Sequence, residues 1–82
     1  MHLYGYRDEE RPANSEDMTS IKLSEISLVA TPEELRRIAK FLKRCAGSMK
    51  AYGKTWEHEH LSDQDKSFEK SPQFIVINPK SL

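Results

Sequence analysis

The stretch Thr31–Gly53, TPEELRRIAKFLKRCAGSMKAYG, decides how this chain folds. Thr31 suits an N-cap, because its hydroxyl can accept from an orphan N–H in the first helical turn. Pro32 stands at the first helical position, where a missing N–H costs nothing and a fixed φ already fits. Glu34, three residues after Thr31, completes a capping box, and Glu33 puts negative charge at the positive end of the helix dipole. Leu35, Ile38, Leu42, Cys45, Met49 and Tyr52 recur at spacings of three and four, and Ala39 and Ala46 widen that stripe. Gly47 is the weak position, costing about 1 kcal/mol against Ala. Gly53 is placed to stop the helix in a left-handed conformation. The stretch therefore predicts an amphipathic helix of about 21 residues, roughly 30 Å long at 1.5 Å per residue. One face of it must be covered by the rest of the chain or by a partner.

Upstream, Ile21–Ala30 (IKLSEISLVA) reads as a strand that feeds directly into the helix. Ile21 and Leu23 share one phase of its alternation, and Ile26, Leu28 and Ala30 share the other. The phase switches at Ser24–Glu25, which predicts a β-bulge there, or a strand whose ends bury opposite faces. A shorter strand, His2–Tyr6, opens the chain, with Gly5 marking a bulge or a close backbone approach. Between them Arg7–Ser20 carries five acidic and two basic residues and many turn formers. It reads as a long polar hairpin loop, or as an acidic recognition loop for a basic partner.

Downstream, Thr55–Leu61 alternates at strand period, with Trp56, His58 and His60 on one face and Glu57 and Glu59 on the solvent side. Ser62 or Asp63 can cap a short helical turn that runs to Phe68. Phe74-Ile75-Val76-Ile77 is an apolar β-branched run, read as a strand covered on parts of both faces and so away from the sheet edge. The order predicts an α+β, two-layer fold: a small, mostly antiparallel four-stranded sheet (β-β-α-β-β) with the long amphipathic helix packed on one face.

Composition limits what such a fold can do. Eighty-two residues, 37% hydrophobic and 32% charged, make one domain (1–82) with modest stability. Formal charge is zero, so no global basic field is available for a phosphate backbone, which argues against nucleic acid as the main partner. Cys45 is the only cysteine, and on an apolar helical stripe it reads as a small core residue. No basic-then-apolar leader and no long apolar run is present, so the expected setting is soluble and cytoplasmic.

No nucleophile–base pairing and no phosphate loop can be assembled, so no catalytic residue and no cofactor is expected. The most chemical stretch is Trp56-Glu57-His58-Glu59-His60 with Asp63 and Asp65 beyond it. On a strand His58 and His60 point the same way about 7 Å apart, a workable pair of metal ligands, with Asp63, Asp65 or His2 as a third. Zinc sites want three or four protein ligands, so the pair reads first as recognition groups or as supports for the following loop. Trp56 is either an interface anchor or packed under the helix C-terminus; in the second case alternation carries His58 and His60 inward with it. Arg36, Lys40, Lys43 and Arg44 form a basic ridge about 12 Å long, usually a solvated face, but suited to electrostatically steered recognition beside an acidic loop.

The runs LSEISLVA (23–30), PEELRRIA (32–39), Phe41-Leu42, Cys45-Ala46, HEHLSD (58–63) and PQFIVINP (72–79) together resemble immunity-protein family 32 of bacterial polymorphic toxin systems. HEHLSD is the distinctive block, whereas PEELRRIA alone is generic. The resemblance implies a small non-enzymatic protein that binds and neutralises a cognate toxin. Trp56, His58, His60 and Asp63, with Arg36 and Lys40 on the helix, are the candidate partner-binding residues. Two other readings stay open: a small zinc protein using His58 and His60, and a self-associating module whose strand edge pairs two copies.

Overall fold

A computed structural model describes residues 1–7 and 21–82. The helix predicted from Thr31–Gly53 forms as α1, Pro32–Tyr52. Thr31 Oγ1 accepts from the Glu34 N–H at 3.1 Å, and Glu34 Oε1 accepts from the Thr31 N–H at 2.9 Å, so both halves of the capping box are made. At the other end Gly53 has φ 56° and its N–H donates to the Met49 carbonyl. Its ψ of −133° lies outside the left-handed helical region, because the chain turns at once into a single 3₁₀ turn, Gly53–Thr55.

Before α1, β1 (His2–Arg7) pairs antiparallel with β2 (Leu23–Val29). Tyr6 faces Glu25 while Arg7 faces Leu23, which leaves Ser24 as the extra residue of a bulge, where the sequence phase switches. Gly5 answers to a close approach: a Cβ there would lie 2.6 Å from Leu23 Cδ1 and 3.1 Å from the Glu25 carbonyl oxygen. The acidic-loop reading of Arg7–Ser20 falls, Arg7 apart, outside the described residues.

After α1, β3 (His58–His60) pairs antiparallel with β4 (Ile75–Ile77), and α2 (Leu61–Gln64) and a 3₁₀ turn at Lys66–Phe68 lie between them. The α+β class holds, but the four strands do not form one sheet. They make two separate two-stranded sheets, β1–β2 and β3–β4. The reason lies in the lengths. Thr55–Leu61 yields three strand residues, because the 3₁₀ turn consumes Gly53–Thr55 and α2 starts at Leu61. So short a ladder covers its own strip of α1 and offers no edge long enough to continue β1–β2.

The core follows from that split. Ile38, Phe41 and Cys45 of α1 are buried against Leu61 and Phe68, with Met1, Trp56, Phe74 and Val76 packed around them. The buried line is thus rotated from the expected stripe: Phe41 is in it, whereas Leu35, Leu42 and Tyr52 stay exposed. β4 is correspondingly an edge strand rather than an interior one, with Val76 half-buried and Ile75 and Ile77 exposed.

One buried polar side chain locks this region. Asn78, 1% exposed, donates through Nδ2 to the Gly53 and Trp56 carbonyls at 3.1 and 2.9 Å. Its Oδ1 accepts from the Lys80 N–H at 3.0 Å, and its own N–H donates to the Glu57 carbonyl at 2.8 Å. The end of α1, the start of β3 and the end of β4 therefore meet on one amide whose nitrogen and oxygen are both hydrogen-bonded.

Candidate functional site

The β3–β4 ladder sorts the candidate residues by face. Opposed pairs are His58 with Ile77, Glu59 with Val76 and His60 with Ile75. Val76 packs on the core, so Glu59 lies on the inner side with it, half-buried rather than on the solvent face. His58, His60, Ile75 and Ile77 make the outer face, where they line a shallow depression of about 410 Å³ with Glu57 and Ser81. Trp56 is half-buried against the core, yet His58 does not follow it inward. The strand starts only at His58, after the 3₁₀ turn, so strand alternation does not extend back to the indole.

The imidazoles of His58 and His60 sit with ring centroids 5.4 Å apart. Asp63, exposed on α2, reaches to 3.8 Å from His60 Nδ1. The other proposed third ligands are engaged elsewhere. Asp65 Oδ1 accepts from both the N–H and the hydroxyl of Ser67, at 3.0 and 2.7 Å, and its Oδ2 accepts from Arg37 at 3.0 Å. His2 stacks on Tyr4 in the other sheet. Among the described residues, no group of three or more His, Cys, Asp or Glu side chains is placed to hold a metal ion.

The cations of the ridge, Arg36, Lys40, Lys43 and Arg44, are all exposed on α1, on the side away from Ile38, Phe41 and Cys45. Arg37, Lys40 and Arg44 share one flank of the buried line and, with Gln64, Asp65 and Lys66, enclose a groove of about 320 Å³ floored by Phe41. Arg36 stands exposed outside it. Arg37 is the anchor of this flank, bonded to Asp65 and, at 3.4 Å, to Glu33 one turn earlier. The Ser67 hydroxyl and the Arg37 guanidinium hold the Asp65 carboxyl below the usual carboxylate value, and Asp65 in turn raises Arg37. The opposite flank of α1 is apolar: Leu42, Ala46 and Met49 face Val76 and Pro79 across an open groove of about 500 Å³. Cys45 lies at its base, and burial, then the nearby Glu59 carboxylate, push its thiol up, as suits an inert core residue and not a nucleophile.

Ile75, Ile77 and Lys66 were absent from the sequence-based candidates. Alternation of the IVIN run could have exposed the two isoleucines had it been read as one-faced, whereas the approach of Lys66 to α1 depends on long-range packing that no local pattern carries.

No helix among the described residues is long and apolar enough to cross a membrane. No curated protein and no solved structure matches the chain. A sequence model of the family Immunity protein 32 matches residues 25–79, from the bulge of β2 through α1 and the whole β3–β4 ladder. That span contains the five buried core residues, Asn78 and the whole of the basic groove, and it is more than half of the chain: the protein belongs to the Immunity protein 32 family.

Proposed function

We propose that this protein is the immunity partner of a bacterial toxin, and that it neutralises the toxin by binding it and without chemistry of its own. The family match over residues 25–79 carries this reading. The geometry supports it in kind. The matched region is a rigid core whose surface is open on several sides, and its one cysteine is sequestered. A neutralising binder needs a fixed scaffold with a mixed apolar and polar patch and a few central anchors.

The outer face of β3–β4 fits that description best. His58, His60, Ile75 and Ile77 form the contact surface, Asp63 adds a carboxylate at its rim, and Trp56 props it from the core side. Arg36 and Lys40, on α1, form a second candidate contact, separate from that face. The test is co-expression with the toxin domain encoded beside the gene: wild-type protein restores growth. Ile77→Asp together with His58→Ala removes protection while leaving the far-ultraviolet spectrum intact, with a loss in affinity of about 30-fold or more, as for interface hot spots. Unchanged killing with wild-type protein present would sink the immunity reading.

A further inference from the structure

The groove on the basic flank of α1 carries more charge than its structural role uses. Four cations, Arg37, Lys40, Arg44 and Lys66, surround one carboxylate, Asp65, which is already committed to Arg37 and Ser67. Among the described residues Lys40, Arg44 and Lys66 make no ion pair, and all three are exposed. Phe41 beneath them is 4% exposed, so the floor is closed and the walls are cationic. The Arg37–Asp65 bridge joins α1 to the segment after α2, which fixes the distance between the two walls.

We propose that this groove receives an acidic segment of the bound partner: an extended peptide stretch with carboxylates at alternate positions. The inference rests on the immunity reading and names the chemistry of the partner's contact. Lys40 and Arg44 are one helical turn apart, about 6 Å at 1.5 Å per residue, and alternate residues of an extended strand are about 7 Å apart. Two carboxylates on one side of such a strand therefore meet the two helical cations in register, with Lys66 on the facing wall. A nucleic acid fits less well. No aromatic face is open in the groove for base stacking, since Phe41 is covered.

The experiment is an NMR titration of the whole protein with a synthetic peptide of alternating Gly and Glu, its Gly/Gln counterpart, and a short oligothymidylate. The Gly/Glu peptide shifts the amides of Lys40, Arg44 and Lys66; the Gly/Gln peptide does not. Binding weakens about tenfold or more in Lys40→Glu/Arg44→Glu and again at 1 M salt, where the Debye length falls to about 3 Å. Lys66→Glu, on a separate element, weakens binding independently, and Lys40→Arg retains it. No shift at millimolar Gly/Glu peptide, equal binding of the two peptides, or tighter binding of the oligothymidylate overturns the proposal.

The co-expression assay separates this inference from the reading beneath it. If wild-type protein protects and folded Lys40→Glu/Arg44→Glu protects equally, the groove lies outside the interface and only the inference fails. If wild-type protein does not protect, the immunity reading fails, and the titration alone decides whether the groove takes acidic peptide.

Discussion

The β1–β2 hairpin and the α1–β3–β4 region both carry many apolar side chains and use them in opposite ways. In the hairpin every residue of β2 is exposed and only Leu3 of β1 is half-buried, so Tyr4, Tyr6, Ile26 and Val29 stand in solvent. In the second region five side chains close into a core and a buried amide finds partners for both its nitrogen and its oxygen. The difference is one of packing, not of strand propensity. A lone two-stranded hairpin is marginal in water without a covered face, whereas the three-residue strands persist because a 21-residue helix lies against them. Stability is therefore concentrated after Thr31.

Substitutions test how far that concentration goes. Phe68→Ala empties the best-buried aromatic position and costs about 3–5 kcal/mol, enough to unfold most molecules of a domain this small in a urea titration. Asn78→Leu leaves the Gly53 and Trp56 carbonyls without their donor and costs about 2–3 kcal/mol in the same titration. Gly47→Ala acts in the other direction: an added Cβ meets nothing within 4 Å, so thermal unfolding shifts upward by the equivalent of about 0.5–1 kcal/mol. Ile26→Ser, in the hairpin, changes global stability by less than about 0.5 kcal/mol, as for other exposed positions. Hydrogen exchange sharpens the contrast: β2 amides exchange orders of magnitude faster than those at Phe41–Cys45. A protected β2 would mean that the hairpin is covered in solution.

The smallest effect is electrostatic. The Asp65 carboxyl titrates below its ordinary value of 3.8 because Ser67 and Arg37 stabilise the ionised form. A lowered folded-state value means that its contribution is complete above the ordinary pKa and is lost as pH falls through the lowered one. Asp65→Asn therefore lowers the melting temperature slightly at neutral pH and flattens its decline below pH 4. An equal decline in both proteins would show that the bridge adds nothing to stability.

What could be read from the chain divides along the same boundary. The helix, its capping box and the Ser24 bulge were legible because each is written in neighbouring residues. The sheet was not. Whether IVI at 75–77 joins Ile21–Ala30 or only HEH at 58–60 is decided by where the turns at Gly53–Thr55 and Leu61–Gln64 begin, and both trade strand for helix over one or two residues. The choice between Phe41 and Leu42 as the buried member of an adjacent pair likewise depends on which side Phe68 arrives from. Of the candidate site, His58 and His60 were placed on one face by alternation alone; Trp56 escaped that rule because it ends a turn, and the basic groove needed Lys66 from a distant segment.

The order of the core along the chain has its own consequence. Among the described residues, and apart from Met1, every hydrophobic side chain packed on Ile38, Phe41 and Cys45 comes later in sequence: Trp56, Leu61, Phe68, Phe74 and Val76. During synthesis the helix thus emerges with its apolar line bare, and closure waits for the Asn78 amide that ties the last strand down. A nascent or prematurely ended chain stopping before Asn78 displays that line to proteases and chaperones.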